Sequence, residues 1–518
     1  MGGAYGIVYG SLPRAASGRG AIPTCGGWRL VEPCPPPPRA MSDAPPAKAD
    51  AKYAWRDLPR RDPPKRSAVE RMADFLEIYG LYDEVAAREQ ASRCIQCPEP
   101  VCVAGCPLGS RIPEWLALTA EGQFLEAAAV LHATSNLPEV CANACPADHL
   151  CEGRCILDGR TEPVSIKAIE QFLNDYAFAH GGLDPATAPA TGRRVAVVGS
   201  NPGGLACADE LARRGHAVTV FDSDLTPGGL QVHGIPAFKL EQSVAQRRID
   251  LLRQRGVEFR LGVSLDGDIT LAELQAQYDA VYLGLGARRA RPLHVPGADL
   301  QGVVQALPFI IQKNSSVALE MAPLDVKGRR VVVLGGGDTA LDCARTAVRA
   351  GALETVVVYR RDADSMPASR RDYDDALEEG VRFIFQATPV AVLGSARGAV
   401  TGLRLAHTAP GETDASGRRA YHAAPGKEFD IRADWVFLAL GFVREPLPRS
   451  DSFCKLAAGA DGGVTVDANQ MTSVPGVFAG GDLVQGPVTV LQAVRDARKA
   501  AAAIHGRLTA ARPTGHAA

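Results

Sequence analysis

Eight of the thirteen cysteines lie in two groups between Cys94 and Cys155. Their spacing is Cys94-x2-Cys97-x4-Cys102-x3-Cys106 and Cys141-x3-Cys145-x5-Cys151-x3-Cys155. Thiols this close together need a metal or disulfide bonds to hold them. Proline follows three of these cysteines, as it does in cluster-binding runs. The spacing predicts two 4Fe–4S clusters with ligands exchanged between the groups, and therefore electron transfer.

Two other interpretations of the cysteines are less favoured. A disulfide framework is typical of small secreted chains, whereas this chain has no secretory signal and continues into a long α/β sequence. A zinc site favours two C-x2-C hooks separated by a loop, and these groups contain only one such hook.

Length and charge indicate the number of domains and exclude some classes of binding partner. A chain of 518 residues predicts about three domains. The net charge of −2 provides no basic surface for nucleic acid, and no apolar run is long enough to span a membrane. Thiols kept for metal favour a reducing compartment, so we expect a cytoplasmic protein.

The N-terminal residues 1–50 differ in composition from the rest. They are rich in Gly, Ala and Pro and lack strand or helix periodicity, so we expect a disordered extension. Their few arginines suggest a transit peptide only weakly, and translation from Met41 is the favoured explanation.

Helical patterns surround both cysteine groups. Segments 67–92, 112–132 and 163–180 predict helices, with breaks near Gly80 and Gly122. Residues 51–190 are therefore predicted to form an all-α iron–sulfur domain.

The rest of the chain predicts two strand–glycine turn–helix–strand units. One begins at strand 194–199 and the other at strand 329–335. Strands that alternate with helices indicate parallel sheets. The predicted fold class is α/β with an N-terminal all-α domain and two Rossmann-like nucleotide-binding domains, the second inserted into the first.

The first turn runs from Gly199 through Asn201 and Gly203 to Gly204. Gly199 and Gly204 occupy the positions that need a tight bend and close helix packing. Asn201 departs from the pattern, but asparagine tolerates a left-handed backbone. Asp222 ends the next strand, where it is expected to accept hydrogen bonds from a ribose. The alternative is a turn that serves packing only.

The second turn has the G-x-G-x-x-A pattern, with Gly335, Gly337, Asp338, Thr339 and Ala340. The strand after its helix ends in Arg360 and Arg361 instead of an acid. Guanidinium groups bind a 2′-phosphate that a carboxylate would repel. This favours NADPH, although a surface salt bridge would also explain two arginines.

We therefore expect FAD at the first turn and NADPH at the second. The predicted FAD-binding domain comprises 191–325 and 430–518, and the NADPH-binding domain comprises 326–429. Further FAD contacts are predicted from glycine-rich segments and from the start of the last helix: Gly229, Leu230, Gly234, Ile235, Pro236, Gly481, Asp482 and Thr489.

The order of these parts resembles the small (β) subunit family of NADPH-dependent glutamate synthase. It also resembles the N-terminal half of dihydropyrimidine dehydrogenase and the large subunit of NADH-dependent ferredoxin–NADP oxidoreductase. The motifs that carry the resemblance are CIQCPEPVCVAGCPLGSRIPEW, CPADHLCEGRC, GGLQVHGIPAFKL, GGGDTALDCARTAVRAGA with YRR and MPA, and AGGDLVQGPVTVLQA.

The resemblance implies a revised set of cluster ligands. Cys94, Cys97, Cys102 and Cys155 would bind one cluster. Cys106, Cys145 and Cys151 would bind the other, with Glu170 as a non-cysteine ligand, and Cys141 would be a spare thiol.

The resemblance also implies the reaction. NADPH reduces FAD, and the clusters carry single electrons to a partner, so no residue acts as a covalent catalyst. The expected partner is a glutamate synthase large subunit. The alternatives are a ferredoxin:NADP or electron-bifurcating subunit with another redox partner, and a redox-inert assembly module.

Overall fold

The computed structural model describes residues 53–183, 186–287, 289–314, 322–413, 419–444, 450 and 452–510. The predicted extension 1–50 lies outside these residues. None of the helices in the described ranges is long and apolar enough to cross a membrane.

The N-terminal part, here called the cysteine domain, is entirely helical within the described residues. Its α-helices are α1 (Ala54–Asp57), α2 (Ala68–Met72), α3 (Glu84–Ser92), α4 (Val101–Gly105), α5 (Ile112–Glu121), α6 (Phe124–Thr134), α7 (Pro138–Ala144) and α8 (Ile166–Ala179). The predicted break at Gly122 is present, because its φ of +84° ends α5 in a conformation that favours glycine. Trp115, Leu131 and Ile169 are fully buried in the core between these helices.

Two parallel sheets follow. The elements up to the end of the first unit are β1 (Arg194–Val198), α9 (Pro202–Arg213), β2 (Ala217–Asp222), α10 (Leu230–His233), α11 (Gln242–Gln254), β3 (Glu258–Leu261), α12 (Leu271–Gln277), β4 (Ala280–Leu283) and β5 (Arg289–Ala290). The second unit contains β6 (Val303–Gln305), α13 (Ala306–Asn314), β7 (Arg330–Leu334), α14 (Asp338–Arg349), β8 (Glu354–Tyr359), α15 (Arg370–Glu378), β9 (Arg382–Phe385), β10 (Ala387–Gly394), β11 (Val400–Thr413), β12 (Arg419–Arg432) and β13 (Trp435–Leu438). The chain then ends with β14 (Phe442–Val443), β15 (Val477–Ala479), α16 (Asp482–Gln485) and α17 (Val490–Ala510).

The first sheet has the strand order β15-β4-β1-β2-β3, and we call it with its helices the first nucleotide domain. Successive residues of β1 point to opposite faces. Val195 and Val197 pack against α9 and α17, whereas Ala196 and Val198 pack against the core that includes Leu274 of α12. Both faces of the sheet are covered, which explains the continuous apolar run of β1.

The second sheet has the order β6-β13-β7-β8-β9, and with α13–α15 it forms the second nucleotide domain. A separate antiparallel sheet, β10-β11-β12, extends from it. Because β15 joins the first sheet after the whole second unit has been completed, the second domain is inserted into the first, as predicted.

The predicted boundaries of the inserted domain are wrong at two strands. Val303–Gln305 and Trp435–Leu438 were assigned to the first domain, but they pair with each other and extend the second sheet beside β7. The reason is that β13 forms its ladder with β7, a pairing between strands distant in sequence.

The cysteine domain is docked on the first nucleotide domain through α7. Leu137 and Val140 belong to the same core as α9 and α17. Beside them, Arg248 of α11 donates to both carboxylate oxygens of Glu139 at 2.9 and 2.8 Å, and both side chains are buried. This contact brings the second cysteine group against the nucleotide-binding part of the molecule.

Candidate cofactor sites

One set of thiols, here called the outer set, comprises Cys94, Cys97, Cys102 and Cys155, which line one small cavity with aliphatic side chains. Burial, with a contribution from the neighbouring thiols, raises the pKa of the Cys94 thiol to about 12 and that of Cys102 to about 11. An iron core would reverse this effect, since a bound metal deprotonates its thiol ligands. The structure thus brings together the four cysteines implied for one cluster, and iron binding stays a prediction.

A second set, here called the inner set, comprises Cys106, Cys145 and Cys151 around Glu170 of α8. Burial raises the pKa of the Cys106 and Cys151 thiols, and the carboxylate of Glu170 adds to the effect. Burial also raises the pKa of Glu170 to about 8, against the opposing charge of Lys167. These three thiols and one carboxylate are the donors implied for the other cluster.

Cys141 is buried and lies close to the inner set. Its side chain is hydrogen-bonded to Cys145, and this bond together with burial raises the pKa of the Cys145 thiol. The Oγ of Ser135 lies 3.8 Å from the Cys141 Sγ. The thiol predicted to be spare is therefore a neighbour of the ligand set, and its role stays open to experiment.

The spacing of these donors differs from that of a single-ion site. In the described part of the chain, no three His, Cys, Asp or Glu side chains converge closely enough to hold one metal ion. A four-iron cluster separates its ligands more widely than a tetrahedral zinc ion does.

The first glycine turn is tight and depends on two glycines. Gly199 has a φ of +103°, and a Cβ there would lie 2.2 Å from the Gly284 carbonyl oxygen. A Cβ at Gly204 would lie 1.8 Å from the Gly199 carbonyl oxygen. Both positions therefore exclude any side chain.

Asn201 does not use the left-handed conformation that asparagine tolerates. Its φ is −69°, and its side chain caps α9 by accepting a hydrogen bond from the Gly204 amide at 3.2 Å. The other side of the same amide group donates to the Gly284 carbonyl. Asn201 thus stabilises the turn, and Gly203 follows it in the first turn of α9.

Asp222 lies behind this turn. Its carboxylate accepts hydrogen bonds from the amide and the hydroxyl of Ser200, both at 2.6 Å. It also lines a cavity of about 320 Å³ together with Gly199, Asn201, Gly229 and Asp482. Ser200, which the sequence interpretation missed, holds this carboxylate and accepts from the Gly228 amide at 3.0 Å.

The same cavity has further lining residues that the sequence interpretation missed: Ser264, Gly284, Gly286, Arg444 and Phe453. Gly284 and Gly286 follow β4 closely, and this glycine pattern could have identified them from the sequence. Arg444 and Phe453 come from a distant part of the chain and carry no local pattern. A tight turn and a lined cavity fit the dinucleotide FAD.

Several residues predicted for FAD do not line this cavity: Leu230, Gly234, Ile235, Pro236, Gly481 and Thr489. The segment around Ile235 instead contacts the second domain, since the Asn314 side chain donates to the Ile235 carbonyl at 2.6 Å. Thr489 donates to the side chain of Gln492 at 3.1 Å at the start of α17.

The second glycine turn is also tightly packed. Gly335 has a φ of +146°, and a Cβ at Gly336 would lie 2.5 Å from the ring of Tyr359. Gly337 begins α14 without any capping side chain. The free amides at this helix start suit a pyrophosphate. Ala340 is fully buried against the sheet, and Asp338 and Thr339 lie beside the turn in the first turn of α14.

Arg360 and Arg361 follow β8 without forming an ion pair with any described residue. Arg361 lies 5.9 Å from the ring of Tyr421, and its Nε is buried without a hydrogen-bond partner in the described part of the chain. The surface salt-bridge interpretation therefore has no support, and the pair is available for an anion.

Two protein families match this chain. The family described as dihydropyrimidine dehydrogenase domain II, 4Fe-4S cluster, matches residues 71–182, and the family described as pyridine nucleotide-disulphide oxidoreductase matches residues 193–497. The glutamate synthase (NADPH) small chain of Azospirillum brasilense is 43% identical over 86% of this chain and 94% of its own length. The chain belongs to the glutamate synthase (NADPH) small-chain family.

Other proteins match most of this chain. A putative oxidoreductase of Escherichia coli, AegA, is 40% identical over 86% of this chain and 69% of its own length. Among solved structures, FprA from Mycobacterium tuberculosis in complex with NADPH has a similar fold. The superposition covers 62% of this chain and 86% of the FprA chain, with a TM-score of 0.53 and 21% identity. That likeness concerns the fold alone.

The family membership confirms the predicted resemblance and fold class. It also confirms the prediction of an NADPH-dependent flavin and iron–sulfur oxidoreductase. The interpretation as a redox-inert assembly module is thereby excluded.

Proposed function

We propose that this oxidoreductase passes electrons from NADPH, through FAD and two 4Fe–4S clusters, to a glutamate synthase large chain in the cytoplasm. That partner would form L-glutamate from glutamine and 2-oxoglutarate. The observation that carries the proposal is the match to a glutamate synthase small chain over 94% of that protein's length.

Each of the three domains would bind a different part of this set of cofactors. The Gly335 turn and the Arg360–Arg361 pair would hold NADPH, and the Gly199 turn with Asp222 and Asp482 would hold FAD. The outer and inner sets would each hold one cluster. Bound FAD would supply the redox chemistry by accepting a hydride from NADPH, and the clusters would carry the two electrons onward one at a time.

The positions of the thiol sets support one direction of electron flow. The inner set lies beside α7, which is packed on the first nucleotide domain, and Lys167 donates to the Cys145 carbonyl at 3.1 Å. The outer set lies under Ile95, Val101 and Ile156, which are 38–46% exposed. The inner set would therefore receive electrons from the flavin, and the outer set would deliver them at the surface.

The test is to purify the chain from its native cells under anaerobic conditions and identify what accompanies it. We expect a glutamate synthase large chain, and NADPH oxidation that requires both glutamine and 2-oxoglutarate. If the purified complex oxidises NADPH without any dependence on these two substrates, the proposal is wrong.

A second candidate is an oxidoreductase subunit of the ferredoxin:NADP or electron-bifurcating type. The observation in its favour is that AegA, a relative 40% identical over 86% of this chain, is a putative oxidoreductase and not a glutamate synthase chain by name. In the purification above, a ferredoxin or small flavoprotein in place of the large chain would select this candidate.

A further inference from the structure

A buried ionic cluster, made of residues not predicted to bind either nucleotide, joins all three domains. Its centre is Glu379, which follows α15 and is 2% exposed. Arg345 donates to its two oxygens at 3.0 and 2.9 Å, and Arg349 at 2.6 and 3.1 Å. Arg71, from α2 of the cysteine domain, donates at 2.9 Å. One carboxylate therefore accepts from three arginines, one of which belongs to another domain.

The first nucleotide domain contributes Lys239 to the same cluster. Its Nζ lies 3.1 Å from a carboxylate oxygen of Asp342 on α14 and 3.1 Å from one of Asp372 on α15. Burial opposes the charged form, but these two carboxylates outweigh it and raise the pKa of Lys239. Asp372 also accepts from Arg345 at 3.0 Å, so the lysine and the Glu379 centre form one connected network.

The residue before Lys239 reinforces this contact. The ring of Phe238 lies 4.0 Å from the guanidinium carbon of Arg349 and 5.0 Å from that of Arg345. Such cation–π contacts gain strength when they are desolvated. The carbonyl of Phe238 accepts from the Ile78 amide of the cysteine domain at 3.2 Å. The Phe-Lys pair of the GIPAFKL motif is thus an anchor for the second nucleotide domain.

The anchor acts on the helix that begins at the NADPH turn. Asp342, Arg345 and Arg349 all lie on α14, whose N-cap Gly337 belongs to the proposed pyrophosphate site. A helix is stiff, so a displacement of its anchored face also displaces its first turn. Breaking a buried ion pair leaves an uncompensated charge, which opposes any other docking of the domains.

We propose that Lys239 and Glu379 are positioning residues for hydride transfer, which hold α14 at one distance and angle from the flavin site. The inference rests on the proposed transfer from NADPH to FAD. Neither side chain belongs to the nucleotide-binding residues described above, so their loss should change the rate of transfer more than the affinity for the nucleotide. A displacement of about 1 Å is enough to slow a transfer by roughly a hundredfold.

The test measures flavin reduction by NADPH in stopped flow, using the full chain with its flavin and iron contents determined. We expect Lys239→Met and Glu379→Gln to lower the limiting rate at least tenfold, while the Kd for NADP⁺ changes less than twofold and reduction by dithionite is unchanged. Lys239→Arg keeps the charge and should retain most of the rate. Arg404→Gln, which breaks an exposed ion pair with Asp430, is the matched control.

The outcomes separate this inference from the proposed function. An unchanged limiting rate in both variants overturns the inference alone, as does a loss of NADP⁺ affinity as large as the loss of rate. A wild-type flavin that NADPH does not reduce overturns the proposed function and the inference with it. If Lys239→Met does not retain flavin, Phe238→Leu keeps every charge and is measured in the same way, with a threefold or larger fall expected and an unchanged rate contradicting the inference.

Discussion

At the residue scale, Arg360 and Arg361 are the pair proposed to set the nucleotide preference at the end of a strand. The position that holds a ribose-binding acid in NAD sites is held here by guanidinium groups without a carboxylate partner among the described residues. A 2′-phosphate offers these groups a charge-assisted contact that a 2′-hydroxyl does not.

The double variant Arg360→Ala/Arg361→Ala is therefore expected to raise the KM for NADPH by roughly ten- to a hundredfold, from the loss of charge-assisted hydrogen bonds. The KM for NADH should change little. Steady-state reduction of ferricyanide with each nucleotide measures both values. Equal effects on the two nucleotides would refute the 2′-phosphate role.

Cys141 and Glu170 pose a second question at the residue scale, because both lie beside the inner set. The resemblance implies that Glu170 binds iron and Cys141 does not. The structure places both near the inner thiols, so position alone does not choose between them.

We expect Glu170→Ala to lower the iron content from about eight to about four atoms per chain, since one of two four-iron clusters loses a ligand. Cys141→Ser should keep all the iron. Iron analysis and low-temperature EPR of the reduced proteins provide the measurement. The reverse result, with iron lost from Cys141→Ser and retained in Glu170→Ala, would assign the ligand to Cys141.

At the scale of the element, the β1–α9 turn restricts which residues the proposed FAD site can contain. Gly204 lies inside α9 but packs against the carbonyl of Gly199, so the helix approaches the strand more closely than any side chain allows. In contrast, Gly506 in α17 has no atom within 4 Å of the position where a Cβ would be.

Gly204→Ala is accordingly expected to yield protein without bound FAD, because the added methyl group would displace the turn. Gly506→Ala should bind FAD normally, with a free energy of unfolding that is unchanged or higher by up to about 1 kcal/mol. Flavin absorbance of the purified proteins and thermal unfolding compare the two. Normal FAD content in Gly204→Ala would show that the turn adapts.

At the scale of the whole molecule, the two thiol sets differ in what lies beside them. The inner set faces the first nucleotide domain, and the outer set lies under partly exposed aliphatic side chains. An apolar surface above a redox centre is suited to a protein partner.

Val101→Glu should therefore lower partner-dependent NADPH oxidation by about tenfold, the size of a moderate interface effect. NADPH–ferricyanide activity of the isolated chain should be unchanged. The control is Leu353→Glu, which adds the same charge at an exposed leucine of the second nucleotide domain. If both variants lower the coupled activity equally, the partner does not bind specifically over the outer set.

The sequence by itself determined the chemistry of this protein. Thiol spacing, glycine turns and the Arg360–Arg361 pair are local patterns, and each needs its residue types at fixed separations along one short segment. They sufficed for the fold class and for most of the elements that carry the sites. The helix break at Gly122 and the buried run of β1 were predictable for the same reason.

The tertiary structure decided everything that depends on segments distant in the sequence. The pairing of β13 with β7 moved two strands between domains, and Arg444 and Phe453 joined the FAD cavity from far along the chain. Asn201 caps α9 through a local hydrogen bond, but its second hydrogen bond goes to Gly284, which no local pattern relates to it. The same holds for the Glu379 cluster, whose charges balance only when three domains are docked, because buried ions need partners that the fold must bring to them.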